Sequence, residues 1–135
     1  MHLPPLKVLS IRKRSSAAKV TPQSKIFKTI LNAIQERKGE NITSLDLRKI
    51  PEAVADFFVI CEATSNTQIK AIAENIEIRL EQECKEIPYK HEGLKHLHWV
   101  LIDYVNIVVH VMLPETRQFY QLEEMWSDAV IQKYA

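Results

Sequence analysis

The stretch WVLIDYVNIVVHVML, residues 99–113, constrains the fold more than any other part of the chain. It is rich in β-branched and aromatic residues, as strands are, and it is shorter than the roughly 18 apolar residues a membrane-spanning helix needs. Reading Val105-Asn106 as a two-residue hairpin turn makes it two antiparallel strands. Side chains alternate between faces along a strand, and opposed residues share a face. Trp99 then sits across from Met112, Leu101 from His110, and Asp103 from Val108. The other face collects Val100, Ile102, Tyr104, Ile107, Val109 and Val111, and is core. The Trp99 face mixes large amphipathic side chains with two polar ones, which admits two readings. Trp99, Leu101, Asp103, His110 and Met112 form a partner-docking patch, or a helix bearing Trp126 covers them. A catalytic Asp103–His110 couple is a third and weaker reading. Val105 is a poor residue for the positive φ of such a turn, and an odd-length loop would move His110 to the face opposite Trp99.

Around this hairpin the apolar spacing predicts further elements. A first helix runs from about Ser24 to Lys38, with Ile26, Phe27, Ile30, Leu31 and Ile34 as its stripe and Gly39 as its stop. ITSLDL reads as a short alternating strand, and DFFVICEA as a strand buried on both faces. Ser65 followed by Gln68 has the spacing of a capping box, so a helix starts there and buries Ile69, Ile72, Ala73, Ile76 and Leu80. IPYKHEG leads back to the sheet. Pro114 opens a last helix in which Phe119, Leu122, Met125, Trp126 and Ala129 recur at helical spacing. This order predicts a single α/β (α+β) domain with helices packed on a mixed sheet.

Charge divides the chain. Residues 1–35 hold seven Lys or Arg and no acid, while the remaining hundred hold all seventeen acids against eleven bases, a net of −6. Residues 1–23 therefore read as a basic arm and 24–135 as the domain. An acidic body binds nucleic acid poorly, because phosphate contacts dominate that affinity. The arm is either a flexible tail able to touch phosphate, or an organellar transit segment. Cys61 and Cys84 lack metal or redox spacing and read as buried or idle thiols.

Chemistry finds few footholds. With Gly39 and Gly93 as the only glycines, neither a P-loop nor a dinucleotide-binding turn can be built. His91, Glu92, His96 and His98 lie within eight residues and offer zinc-type ligands, but without helical HExxH spacing they read as loop histidines. Ser65 lacks the flanking glycines of a nucleophile elbow and reads as an N-cap. No metal or cofactor is expected.

Taken together, DFFVI…TSNTQIKAIAENI, HEG, WVLIDY…IVVHVM and RQFYQLEEMWSDA resemble the ribosomal silencing (Iojap, YbeB-like) factors, from about Lys25 to Ala129. The resemblance implies a nucleotidyltransferase-like fold without catalytic residues. It implies a non-enzymatic repressor of translation that binds the large ribosomal subunit through its fourteenth protein and blocks subunit joining. It places Trp99, Asp103, His110 and Met112 in the stretch expected to meet that protein. The alternatives are a nucleotidyltransferase-like enzyme, or a metal protein built on His91, His96 and His98. The enzyme needs a Gly-Ser turn and paired aspartates, whereas Asp46, Asp56 and Asp103 fall on separate strands. The family usually has Gly-Asp where this chain has Val105-Asn106, and its shortest members lack the basic arm. The expected location is the bacterial cytoplasm, with an organellar matrix as the alternative, and an exposed Trp99 patch would favour pairing of the free protein.

Overall fold

A computed structural model describes residues 20–134. The chain runs α1 (Lys25–Glu36), β1 (Glu40–Asp46), β2 (Phe57–Glu62), α2 (Asn66–Cys84), β3 (Lys90–Glu92), β4 (Trp99–Asp103) and β5 (Ile107–Met112). It ends with α3 (Pro114–Tyr120), α4 (Leu122–Met125) and β6 (Val130–Tyr134). Six strands form one mixed sheet in the order β3-β4-β5-β2-β1-β6. Only β2 and β5 run parallel; the other neighbours are antiparallel. This is the mixed-sheet α+β domain that the sequence pattern predicts.

The sheet is apolar on both faces, so both must be covered. On one face α1 and α2 pack over Val59, Cys61, Val100, Ile102, Val109 and Val111. Ser65 Oγ accepts the Gln68 backbone N–H at 3.2 Å, so Ser65 is the N-cap expected of it. Between the helices, Asn75 Nδ2 donates to the Ala33 carbonyl and to Glu36 Oε1, each at 2.9 Å. That satisfies a buried amide. Residues 1–19 of the expected basic arm lie outside the described residues, and Val20, inside the 1–23 bounds read from composition, is part of this core.

Gly39 ends α1 for a reason other than the expected one. The left-handed residue is Lys38, at φ 60°. At Gly39 a side chain would collide with Ile34, so the glycine is there for close packing.

The C-terminal region departs from the predicted single helix. Gln121 adopts a left-handed conformation (φ 48°), which splits the segment into α3 and α4. The chain then adds β6 to the edge of β1, a strand the sequence reading does not contain. The break re-aims the side chains of the predicted stripe. Leu122, Trp126 and Ala129 turn toward the sheet, whereas Phe119 and Met125 face outward, 77% and 56% exposed.

Candidate functional site: the Trp99 face and its cover

The hairpin register is the expected one, with Trp99 opposite Met112, Leu101 opposite His110 and Asp103 opposite Val108. The turn has its own solution. Asn106 N–H donates to the Tyr104 carbonyl at 2.9 Å, and Val105 stands between them at φ 74°. These are the features of a γ-turn, a strained geometry for a β-branched residue. Asp103 holds it in place, because its Oδ1 accepts the Val105 N–H at 2.8 Å. Val105→Gly relieves the strain at some cost in unfolded-chain entropy. We expect a net gain of up to about 1 kcal/mol in unfolding free energy, read by chemical denaturation; a loss would show that Val105 packing outweighs the strain.

Trp99, Leu101, Asp103, His110 and Met112 come together on one face, but all five are buried. They belong to a second core with Leu45, Leu47, Phe58, Ile60, Val108 and Leu122. Its cover consists of the 47–56 connection and the 114–129 segment, with Tyr120 and Trp126 packed against it. The Tyr120 ring lies 5.0 Å from that of Trp99, and Trp126 meets Phe58 edge-on at 6.1 Å. Of the two readings the sequence leaves open, the geometry is that of a covered face. An open patch centred on Trp99 is not present, because the turn at Gln121 folds α3 and α4 down onto it. Self-association through such a patch loses its premise.

The polar pair inside this core is not an acid–base couple. Asp103 is engaged by the hairpin turn, whereas His110 accepts the indole N–H of Trp99 on Nδ1 at 3.0 Å. An indole nitrogen only donates, so His110 is the neutral tautomer with its proton on Nε2. Burial pushes its pKa down to about 3. A histidine so hard to protonate is a packing group with one satisfied bond, and it makes a poor proton shuttle near neutral pH.

The residue that fastens the cover was not singled out from the sequence. Arg117 of α3 donates to the Asn41 carbonyl (2.6 Å), Thr43 Oγ1 (3.0 Å), Glu62 Oε1 (3.1 Å) and Glu123 Oε2 (2.7 Å). One guanidinium thus ties α3 and α4 to the ends of β1 and β2, using the planar fork that lysine lacks. Its signal in the sequence is weak, because every partner lies far along the chain except Glu123. Gly93 secures the other side: at φ 92°, a side chain there would run into the Trp99 carbonyl. The glycine of HEG is therefore needed for the backbone to pass beneath Trp99.

The metal and enzyme candidates are not assembled into sites. His91 Nδ1 lies 3.0 Å from Glu77 Oε2, and the His96 and His98 rings stand 6.4 Å apart. Among the described residues, no three His, Cys, Asp or Glu side chains are grouped to hold a metal ion. Asp46 forms a two-pronged pair with Arg48 at 3.0 and 2.7 Å. Cys61 is buried, and burial raises its thiol pKa to about 12, which leaves it inert. No described helix is long and apolar enough to cross a membrane.

Comparison with known proteins places this architecture. A family model described as "Ribosomal silencing factor during starvation" matches residues 20–134. The ribosomal silencing factor RsfS of Bacillus subtilis is 36% identical over 107 residues, which cover 79% of this chain and 89% of that protein. Its counterpart in Halalkalibacterium halodurans is 36% identical over 104 residues, covering 77% and 87%. A crystal structure of a Chromobacterium violaceum protein superposes with a TM-score of 0.72 at 33% identity, covering 76% of this chain and 84% of that one. With its sheet, both cores and the 99–113 hairpin all inside the matched span, the chain belongs to the ribosomal silencing factor family.

Proposed function

We propose that this protein represses translation by binding and steric exclusion. It docks on the large ribosomal subunit through that subunit's fourteenth protein and holds the small subunit away. The observation that carries the reading is the family match over nearly all of the described domain. The residues give the reading a physical form. Catalysis requires assembled polar groups at a solvent-accessible point, and the polar groups of the Trp99 face are buried and committed to structure.

The docking surface in this reading is the outside of the cover. Phe119 and Met125 present apolar side chains to solvent on a segment that also exposes the acidic Glu115, Glu124 and Asp128. Apolar anchors with an acidic surround suit a basic protein partner and repel phosphate. Trp99, Leu101, Asp103, His110 and Met112 contribute from beneath, as the floor that sets the position of α3 and α4. In this reading the cations of the basic arm contact ribosomal RNA.

The test adds purified protein to separated ribosomal subunits and follows joining on a sucrose gradient. Joined particles should fall as protein is added, and unchanged joining at saturation would sink the proposal. Phe119→Ser should weaken binding by about tenfold or more, as loss of a central aromatic anchor does, with no change in melting temperature. Wild-type affinity in that variant would move the docking surface elsewhere.

A further inference from the structure

The sheet has two edges, and they are not alike. β3 offers three residues, Lys90–Glu92, and Gly93 turns the chain away directly after it. β6 offers five, Val130–Tyr134, of which four are exposed. Among the described residues, no strand pairs with the outer side of β6. Val130 is 68% and Ile131 44% exposed there. An open edge that carries apolar side chains is a template for another strand.

The registers show which backbone groups that edge presents. Leu47 N–H donates to the Asp56 carbonyl at 2.8 Å and continues the β1–β2 register, so Leu47, Leu45 and Thr43 bond toward β2. The alternate residues of β1, Ile42, Ser44 and Asp46, therefore bond toward β6, where they oppose Tyr134, Gln132 and Val130. Ile131 and Lys133 are left with their N–H and C=O directed outward. These two positions match themselves across a twofold axis at Gln132. A second β6 running antiparallel sets Ile131 against Lys133, Gln132 against Gln132 and Val130 against Tyr134. Each Ile131–Lys133 pair exchanges two hydrogen bonds, so every outward group gains a partner. Lys133, the one charge on the strand, meets Ile131 and not its own copy. Directly opposed like charges, which would weaken such a seam, are thereby avoided.

We infer that two copies of this chain pair through the outer edges of β6, antiparallel about Gln132, and join their two sheets into one. The axis stands perpendicular to the sheet, so both α1–α2 layers lie on one side and both α3–α4 covers on the other. The occupant of the edge is a second copy, because the edge is complementary to itself in register, hydrogen bonding and charge. The seam is short, which puts it among the weak, concentration-dependent interfaces. This inference does not rest on the ribosomal reading, because it concerns the isolated protein, and it uses a surface other than the buried Trp99 face.

Sedimentation velocity of the full chain should show the mass moving from monomer toward dimer between about 10 µM and about 1 mM, the range of weak association. Ile131→Pro and Lys133→Pro each remove an outward N–H and no bond to β1, as proline at a sheet edge can. Each should melt like the wild type and lower the association constant by about tenfold, since one hydrogen bond is lost from each copy. Gln132→Cys gives a second readout that needs no proline. Residues opposed in a non-hydrogen-bonded pair have Cα atoms about 4.5 Å apart, within disulfide range, whereas the two copies of Ile131 are offset by two residues along the strand. Mild oxidation should therefore link Gln132→Cys chains about tenfold faster than Ile131→Cys chains. The wild type, with Cys61 buried and Cys84 half-buried, serves as the blank. A monomer at every concentration, or a dimer that folded proline variants leave intact, would overturn the inference. Should a proline variant fail to fold, the cysteine comparison decides alone. Ile131→Cys linking as fast as Gln132→Cys would overturn the inference as well, in favour of another register or surface.

Discussion

Trp99→Ala should lower the unfolding free energy by about 3–5 kcal/mol, the range for deleting a large buried aromatic. The indole is 1% exposed, tilted against the Tyr120 ring and set opposite Met112 across the hairpin. Its loss opens a cavity beneath α3 and also leaves His110 Nδ1 without its donor. An orphaned buried acceptor adds to the cost of the void. Trp99→Phe should cost clearly less, since it restores much of the volume and loses mainly the hydrogen bond. The measurement is denaturant unfolding alongside capture of the large subunit. A docking anchor would behave in the opposite way, losing binding by about 2 kcal/mol while unfolding normally. If Trp99→Ala unfolds like the wild type but fails to bind, Trp99 is on the surface in solution and the cover described here is open. With the covered geometry, the surviving folded fraction should bind with an affinity close to wild type.

The reason the sequence left Trp99 ambiguous is physical. Alternation along residues 99–113 specifies which side chains share a face, and that register is the observed one. It says nothing about what lies on top of the face. A docking patch and a second core are written in the same residues, Trp, Met, Leu and His, because both require desolvated anchors. The answer sits in the 114–129 segment, where helical spacing of Phe119, Leu122, Met125 and Trp126 suggested one amphipathic helix. The break at Gln121 involves neither glycine nor proline, so no local signal announces it. It follows from tertiary demand: Arg117 binds back to β1 and β2 while Leu122 and Trp126 drop onto Phe58 and its neighbours.

The final strand was missed for a related reason. β6 pairs only with β1 at the sheet edge and is largely exposed, so it shows no buried period of two. Tyr134 is the exception, packing toward Phe27 and meeting Ser44 Oγ through its hydroxyl at 3.0 Å. By contrast, α1, α2 and the Ser65 cap were legible because each has an apolar stripe buried by the sheet or a local hydrogen bond.

Acid sensitivity should then report on the same covered core. His110 keeps its neutral form in the fold down to about pH 3, whereas in the unfolded chain it takes up a proton near its ordinary value of 6.5. Between those two values the unfolded state binds the extra proton, so stability falls as pH is lowered through this window. The limiting slope is about 1.4 kcal/mol per pH unit. By pH 5 the loss from this one side chain should approach about 2 kcal/mol, and above pH 6.5 it should vanish. The lowered carboxyl groups of Glu36, Asp46 and Glu83 have ordinary values of 4.5, 3.8 and 4.5, so most of their contribution is lost in stronger acid than this interval. His110→Gln supplies the control. Its side-chain oxygen can still accept the Trp99 N–H, but it does not titrate. Denaturant unfolding at half-unit pH steps should show a steep decline for the wild type and a nearly level profile for His110→Gln. Equal slopes in the two proteins would mean that His110 is reached by water and protonated in the folded state, and the sealed layer beneath α3 and α4 would have to be given up.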